Sequence, residues 1–230
     1  MTSKDICDVS KHLRFKHPFS CLVAAPSGSG KTMLIRQILK DHKELMNLEK
    51  LSVLWCYGEE TADLNSEISV TVSMNTFKGI PSREEMKNLD VVVIDDLMVE
   101  ASNDKRLVNI FTKECHHMNI SCFFLTQNLF ERNPVSRTVS LNANYFLILK
   151  NNRDKQQIRV FARQVSPGDP IQFLEAYEDA TSKPFGYILL DLKPDTPDHL
   201  RLRTRITSAE VKHLKRKFAP IVYVPKCQKT

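Results

Sequence analysis

The residues whose types and spacing most directly imply chemistry run from Ala25 to Thr32, in the segment "CLVAAPSGSGKT". In the pattern A-x-x-x-x-G-K-T, an apolar strand leads into a small-residue loop and the loop leads into a helix. Backbone N–H groups from Ser27 to Thr32 can then surround a β-phosphate, Lys31 can bridge β- and γ-phosphates, and the Thr32 hydroxyl can ligate Mg2+. The candidate nucleotide-binding set is Pro26, Ser27, Gly28, Ser29, Gly30, Lys31 and Thr32. Ala25 stands where such loops usually begin with glycine. A methyl group there is compatible with the turn provided φ stays negative. Gly30 is where the backbone has to approach a phosphate.

A second set of residues follows at "VVVIDD". Four apolar residues ending in Asp95 and Asp96 fit a strand that delivers carboxylates to the edge of a sheet. The first carboxylate, Asp95, would hold Mg2+ together with Thr32, and Asp96 would polarise the attacking water. The next apolar strand, "ISCFFLTQ", ends in Thr126, Gln127 and Asn128. In ATPases whose extra strand lies between those carrying the loop and the carboxylates, that strand's tip sits beside the γ-phosphate. Gln127 is therefore the candidate sensor, with Asn128 second. A cation that meets the transition state from a neighbouring subunit would come from Arg132, Arg137 or Arg153, with Arg137 and Arg153 ranked first.

These residues need elements to position them, and the hydropathy pattern supplies a set. Phe19–Ala25, Leu51–Tyr57, the weaker Ile68–Met74, Val91–Asp96, Ile120–Gln127 and Asn144–Lys150 read as strands. Residues 31–42 read as a helix with Met33, Leu34, Ile38 and Leu45 inward; 81–89 and 103–118 also read as helices. Continuous apolar strands separated by helices indicate a mostly parallel sheet covered on both faces. The expected fold is α/β, a RecA-like P-loop NTPase with the sensor strand inserted between the loop strand and the carboxylate strand. Further on, 153–165 and 169–180 look helical, whereas "PFGYILLDL" and "HLRLRTRI" look like late strands of an α+β extension. The expected division is an N-terminal segment 1–18, a core 19–165, and a C-terminal extension 166–230 packed on the same domain.

Composition narrows the class of function. An apolar share of 42% with 26% charged residues is that of a globular chain, which excludes disorder throughout. No apolar run is long enough to cross a bilayer, and the polar start lacks the core of a secretory signal, so an intracellular protein without a membrane partner is expected. The six cysteines have no paired C-x-x-C spacing and read as small buried hydrophobes. Cys115, His116 and His117 are adjacent, and neighbouring histidines on a helix face different ways, which argues against a metal site there. Nine of the 33 Lys and Arg lie in 201–230 against one acid, Glu210. With the chain at +6, that segment alone is +8 and the remainder −2. Such a patch suits a polyanion, most simply nucleic acid, although a solvated tail or an import signal would have the same composition.

Taken together, "CLVAAPSGSGKT", "WCYGE", "VVVIDDLM", "FFLTQNLF", "VSLNANYFLILKN" and "NRDKQQI" resemble the genome-packaging ATPases of double-jelly-roll DNA viruses and of Maverick/Polinton transposons. These belong to the FtsK–HerA superfamily of DNA-pumping motors. The resemblance covers roughly Phe19 to Gln164, and "LTQNLF" followed by "SLNANY" and "RDK" is its most restrictive part. It implies a homo-oligomeric ring, hexameric or pentameric, that hydrolyses ATP with Mg2+ to drive double-stranded DNA into a capsid through a capsid protein at the packaging vertex. It also implies work in an intracellular host compartment, nucleus or cytoplasm. By position, Lys31 and Thr32 bind phosphates and metal, Asp95 and Asp96 form the acidic pair, and Gln127 is the polar sensor. The departures are Ala25 for glycine and Asp96 for the commoner glutamate. The residues alone also leave open a P-loop nucleotide kinase, a low-turnover nucleotide-dependent DNA-binding scaffold and a helicase.

Overall fold

A computed structural model describes residues 12–58, 68–95, 97, 104–130, 134–211 and 220–224. Nine strands among them form one sheet in the order β3-β2-β4-β5-β1-β6-β7-β8-β9. The strands are β1 (Ser20–Ala24), β2 (Leu51–Tyr57), β3 (Val72–Lys78), β4 (Val91–Asp95), β5 (Ser121–Thr126), β6 (Tyr145–Leu149), β7 (Tyr187–Asp191), β8 (Leu202–Thr204) and β9 (Ile221–Tyr223). From β3 to β6 every pairing is parallel, while β7, β8 and β9 add antiparallel strands. The expected insertion is present, since β5 pairs with β1 on one side and β4 on the other. The ends of the loop strand and the carboxylate strand are thereby held one strand apart.

Because side chains alternate across a strand, a continuous apolar run covers both sheet faces. Val92 and Ile94 of β4 join one cluster with Leu22, Phe124, Phe146 and the helical Phe161 and Phe173. Val91 and Val93 join the other with Cys21, Val23, Phe123 and the helical Ile35, Ile38 and Leu39. The helices are α1 (Lys31–Lys40), α2 (His42–Met46), α3 (Lys105–Asn109), α4 (Cys115–His117), α5 (Pro134–Asn142), α6 (Lys155–Val165), α7 (Pro170–Ala180) and α8 (Ser208–Val211), with a π turn over Ile110–Glu114 joining α3 to α4. At the end of the sheet away from the loop, Phe15, Phe19, Phe123 and Tyr145 cluster with ring centroids 4.9–6.1 Å apart, Phe15 stacked on Phe19 and the other pairs edge-to-face. Truncating Phe123 to alanine in such a core costs about 3–5 kcal/mol.

Besides the weak strand, expected over Ile68–Met74 and found four residues later at Val72–Lys78, three expectations need correction. The inward face of α1 is Ile35, Ile38 and Leu39, whereas Met33 is 63% exposed. Ile38 and Leu45 are buried as expected and Leu34 packs half-buried against the core, so Met33 alone departs from the expected inward set. Residues 81–89 form turns around 83–88 and no helix. Beyond Pro81 that stretch buries only Met86, and Asn88 at φ 60° breaks it before a second turn can form. The third concerns the basic C-terminal segment. Arg203 is fully buried and paired with Asp191 at 2.6 Å, so it adds nothing to a polyanion surface. Arg201 pairs with Asp198 at 2.9 Å. Lys212, Lys215, Arg216, Lys217, Lys226 and Lys229 lie outside the described residues.

Four cysteines among the described residues, Cys21, Cys56, Cys115 and Cys122, are buried and unpaired. Burial pushes the Cys56 thiol up to about 12, with nearby Glu85 adding to the shift, and burial raises Cys21 and Cys122 strongly as well. They are packing residues. His116 and His117 are exposed, and no metal-holding group of side chains occurs among the described residues. No helix among them is long and apolar enough to cross a membrane.

Candidate functional site

The loop between β1 and α1 gets its shape from two glycines. Gly28 and Gly30 take φ of 75° and 90°, a region closed to most side chains, and backbone of this kind can gather successive N–H groups around one hollow. Ala25 is not in that region. Its methyl group is buried in the α1-side cluster, and its N–H donates to the Thr126 carbonyl at 3.1 Å. The alanine therefore extends β1 without straining the loop. Gly30 caps α1 and brings no side chain to the first-turn N–H groups, which leaves the helix start open to an anion.

Lys31 folds back over this hollow, its Nζ donating to the carbonyls of Ala25 at 2.7 Å and Pro26 at 3.2 Å. The Thr32 hydroxyl donates to Asp95 Oδ2 at 3.0 Å, joining the first turn of α1 to the end of β4. A hydroxyl and a carboxylate at that separation, with a flexible ammonium and an uncapped helix start alongside, fit a hard divalent cation and a triphosphate. Asp96 lies outside the described residues, as does Arg132.

Gln127 emerges exposed from the end of β5 and borders a small crevice with Ala25, Asn151 and Gln157. Gln157, on α6, was not singled out from the sequence. Its Oε1 accepts from the N–H groups of Leu129 at 3.0 Å and Phe130 at 3.4 Å, and its Nε2 donates to Asp154 Oδ2 at 2.8 Å. The loop after β6 is fixed in turn. Asn151 Oδ1 accepts from the N–H groups of Arg153 and Asp154, and the Tyr177 hydroxyl donates to the Leu149 carbonyl while accepting from the Asn151 N–H. The sequence signal for Asn151, Arg153 and Asp154 was the polar run "KNNRD" directly after an apolar strand; Gln157 lies beyond it.

Of the two favoured arginines, the structure brings only Arg153 to the loop. It borders a groove of about 290 Å³ with Pro26–Ser29, Lys150, Asn152, Pro184 and Phe185. Arg137 stands exposed on α5 and is not among the residues of that groove. Lys150 and Phe185 were also missed. Phe185 is 68% exposed, and its ring lies against Gly30, where an added Cβ would meet it at 3.0 Å.

A P-loop bent by two glycines, an adjacent helix start, and a strand inserted between loop and carboxylate define the RecA-like P-loop NTPase fold. Two solved structures agree with that fold. The DNA-packaging ATPase B204 of Sulfolobus turreted icosahedral virus superposes with a TM-score of 0.52 at 12% identity, covering 77% of this chain and 94% of that one. The genome-packaging NTPase B204 of Sulfolobus turreted icosahedral virus 2, in complex with AMPPCP, gives 0.50 at 14% identity over 76% and 93%. A KaiC-like protein of Pyrococcus horikoshii gives 0.46 at 13% over 90% of each chain. No protein-family model matches the chain. No curated protein matches it by sequence.

Proposed function

We propose that this chain is an ATP-driven double-stranded DNA translocase of the FtsK–HerA type that packages a viral or virus-like genome. The observation carrying the nucleotide half of this reading is the 3.0 Å contact between Thr32 and Asp95 at the mouth of a glycine-bent loop. The N–H groups of Ser27 to Thr32 hold the phosphates, and Lys31 exchanges its two carbonyl partners for phosphate oxygens. Thr32 and Asp95 hold Mg2+, which supplies charge neutralisation on the β- and γ-phosphates. Gln127, at the tip of the inserted strand, orients water and senses the γ-phosphate, and Asp96 accepts the proton of that water. DNA translocation is supported by the resemblance of "LTQNLF…SLNANY" to packaging motors and by likeness to a DNA-packaging ATPase. A homo-oligomeric ring docked on a capsid protein inside a host cell completes the proposal.

The test is ATP hydrolysis by the purified protein, with and without double-stranded DNA, beside Lys31→Ala. DNA should stimulate turnover several-fold, and Lys31→Ala should lower it at least about a hundredfold. Turnover indifferent to DNA, together with no DNA binding at low salt, would sink the translocase and leave a kinase or a DNA-independent ATPase. The basic segment should be tested by neutralising Lys212, Lys215, Arg216 and Lys217, not by truncation. Truncation at 201 would remove β8, β9 and the buried Arg203. Neutralisation should weaken DNA binding and flatten its salt dependence.

A further inference from the structure

Phe185 breaks two rules of side-chain placement at once. A bulky aromatic residue adopts φ 59°, a left-handed conformation that normally falls to glycine or asparagine. It also leaves its ring largely in solvent. The adjacent glycine does not relieve this, because Gly186 is held for close packing. A Cβ there would lie 2.4 Å from the Ala180 carbonyl oxygen. The chain therefore tolerates strain to hold an exposed ring beside Gly30, on the groove that also takes in Pro26–Ser29 and Pro184.

The orientation of a bound nucleotide follows from the sheet order. The Thr32–Asp95 contact and Gln127 lie toward β4 and β5, so the metal and the γ-phosphate belong on that flank of the loop. The base end must then extend to the other flank, toward β6 and β7. There, Phe185 offers an aromatic face two residues before β7, bordered by the cations Lys150 and Arg153. We propose that Phe185 is the stacking platform for the base of a nucleoside triphosphate held on this loop. This rests on the nucleotide-site reading above. It makes Phe185 a binding residue that supplies affinity for nucleoside triphosphates over bare polyphosphate.

Calorimetric titration with Mg-ATP and with Mg-tripolyphosphate, which has the phosphates but no base, tests it. The variant of choice is Phe185→Asn, because asparagine accepts the left-handed conformation and the fold is kept. Base–aromatic stacking predicts that Phe185→Asn weakens ATP about tenfold, leaves tripolyphosphate unchanged, and does not lower the melting temperature, while Phe185→Trp retains ATP affinity. Equal weakening of both ligands would show that the ring merely supports Gly30. Unchanged ATP affinity would show that the base does not rest there. Either result overturns the assignment while leaving the phosphate site standing. A wild-type protein that binds neither ligand would instead overturn the nucleotide site itself, and this platform with it.

Discussion

Two polar clusters sit on the same sheet on opposite sides of β6, and they resolve the same physical problem differently. At the loop, Lys31 rests on main-chain carbonyls and Thr32 on Asp95, all partly exposed and open to an incoming ligand. Beyond β7, Arg203 and Asp191 are fully buried and closed on each other. Asp191 also accepts from the Thr196 hydroxyl and the Lys193 N–H, and Arg203 Nη1 donates to the His12 carbonyl. One cluster is arranged to exchange partners and the other to keep them. Charge near a binding loop is available for function only where its present partners can be replaced at low cost.

The sharpest way to break the comparison is to remove one partner from the closed cluster. Arg203→Met strands a buried carboxylate and should cost about 3–5 kcal/mol in urea unfolding. Adding Asp191→Leu should recover most of that loss, because an apolar pair of similar volume tolerates the site. Neither change should alter nucleotide affinity at temperatures where the protein is folded. A loss of affinity in a folded Arg203→Met protein would mean that the two clusters are coupled. At the open cluster, Thr32→Val should cost no more than about 1.5 kcal/mol of stability. It should, however, abolish the gain in ATP affinity on adding Mg2+, measured against EDTA.

The smallest effect serves as a control at the far end of the sheet. Burial holds His17 below its usual value, opposed by Asp90 and by a contact with Asn119, with Lys193 adding to the lowering. The folded state therefore prefers the neutral ring. The stability from that preference is complete above the unfolded value near 6.5 and declines as pH falls below it toward the lower folded value. His17→Gln should flatten the stability profile in that acidic window without shifting the pH dependence of nucleotide binding.

The loop, the carboxylate strand and the sensor strand were legible because each is a local pattern: an apolar run followed by residues of fixed type. The same holds for β7 and β8, which lie in the short apolar runs "PFGYILLDL" and "HLRLRTRI". What stayed hidden depends on contacts distant in sequence. Nothing local tells Arg203 from Arg205, yet one is sealed against Asp191 and the other is not. Gln157 and Phe185 come beside the loop only because α6 and the start of β7 fold back next to the ends of β5 and β1. On α1 the expected inward face was right at Ile38 and wrong at Met33, which is exposed; Ile35 and Leu39, one helical face with Ile38, complete it.

Gln157 has a mechanical consequence. Its side chain grips the backbone just after Gln127 at one end and Asp154, next to Arg153, at the other. The two loops are geared together, since displacing one alone would break hydrogen bonds in a half-buried setting. Moving the tip of β5 would therefore have to break these hydrogen bonds or carry the Arg153 loop with it.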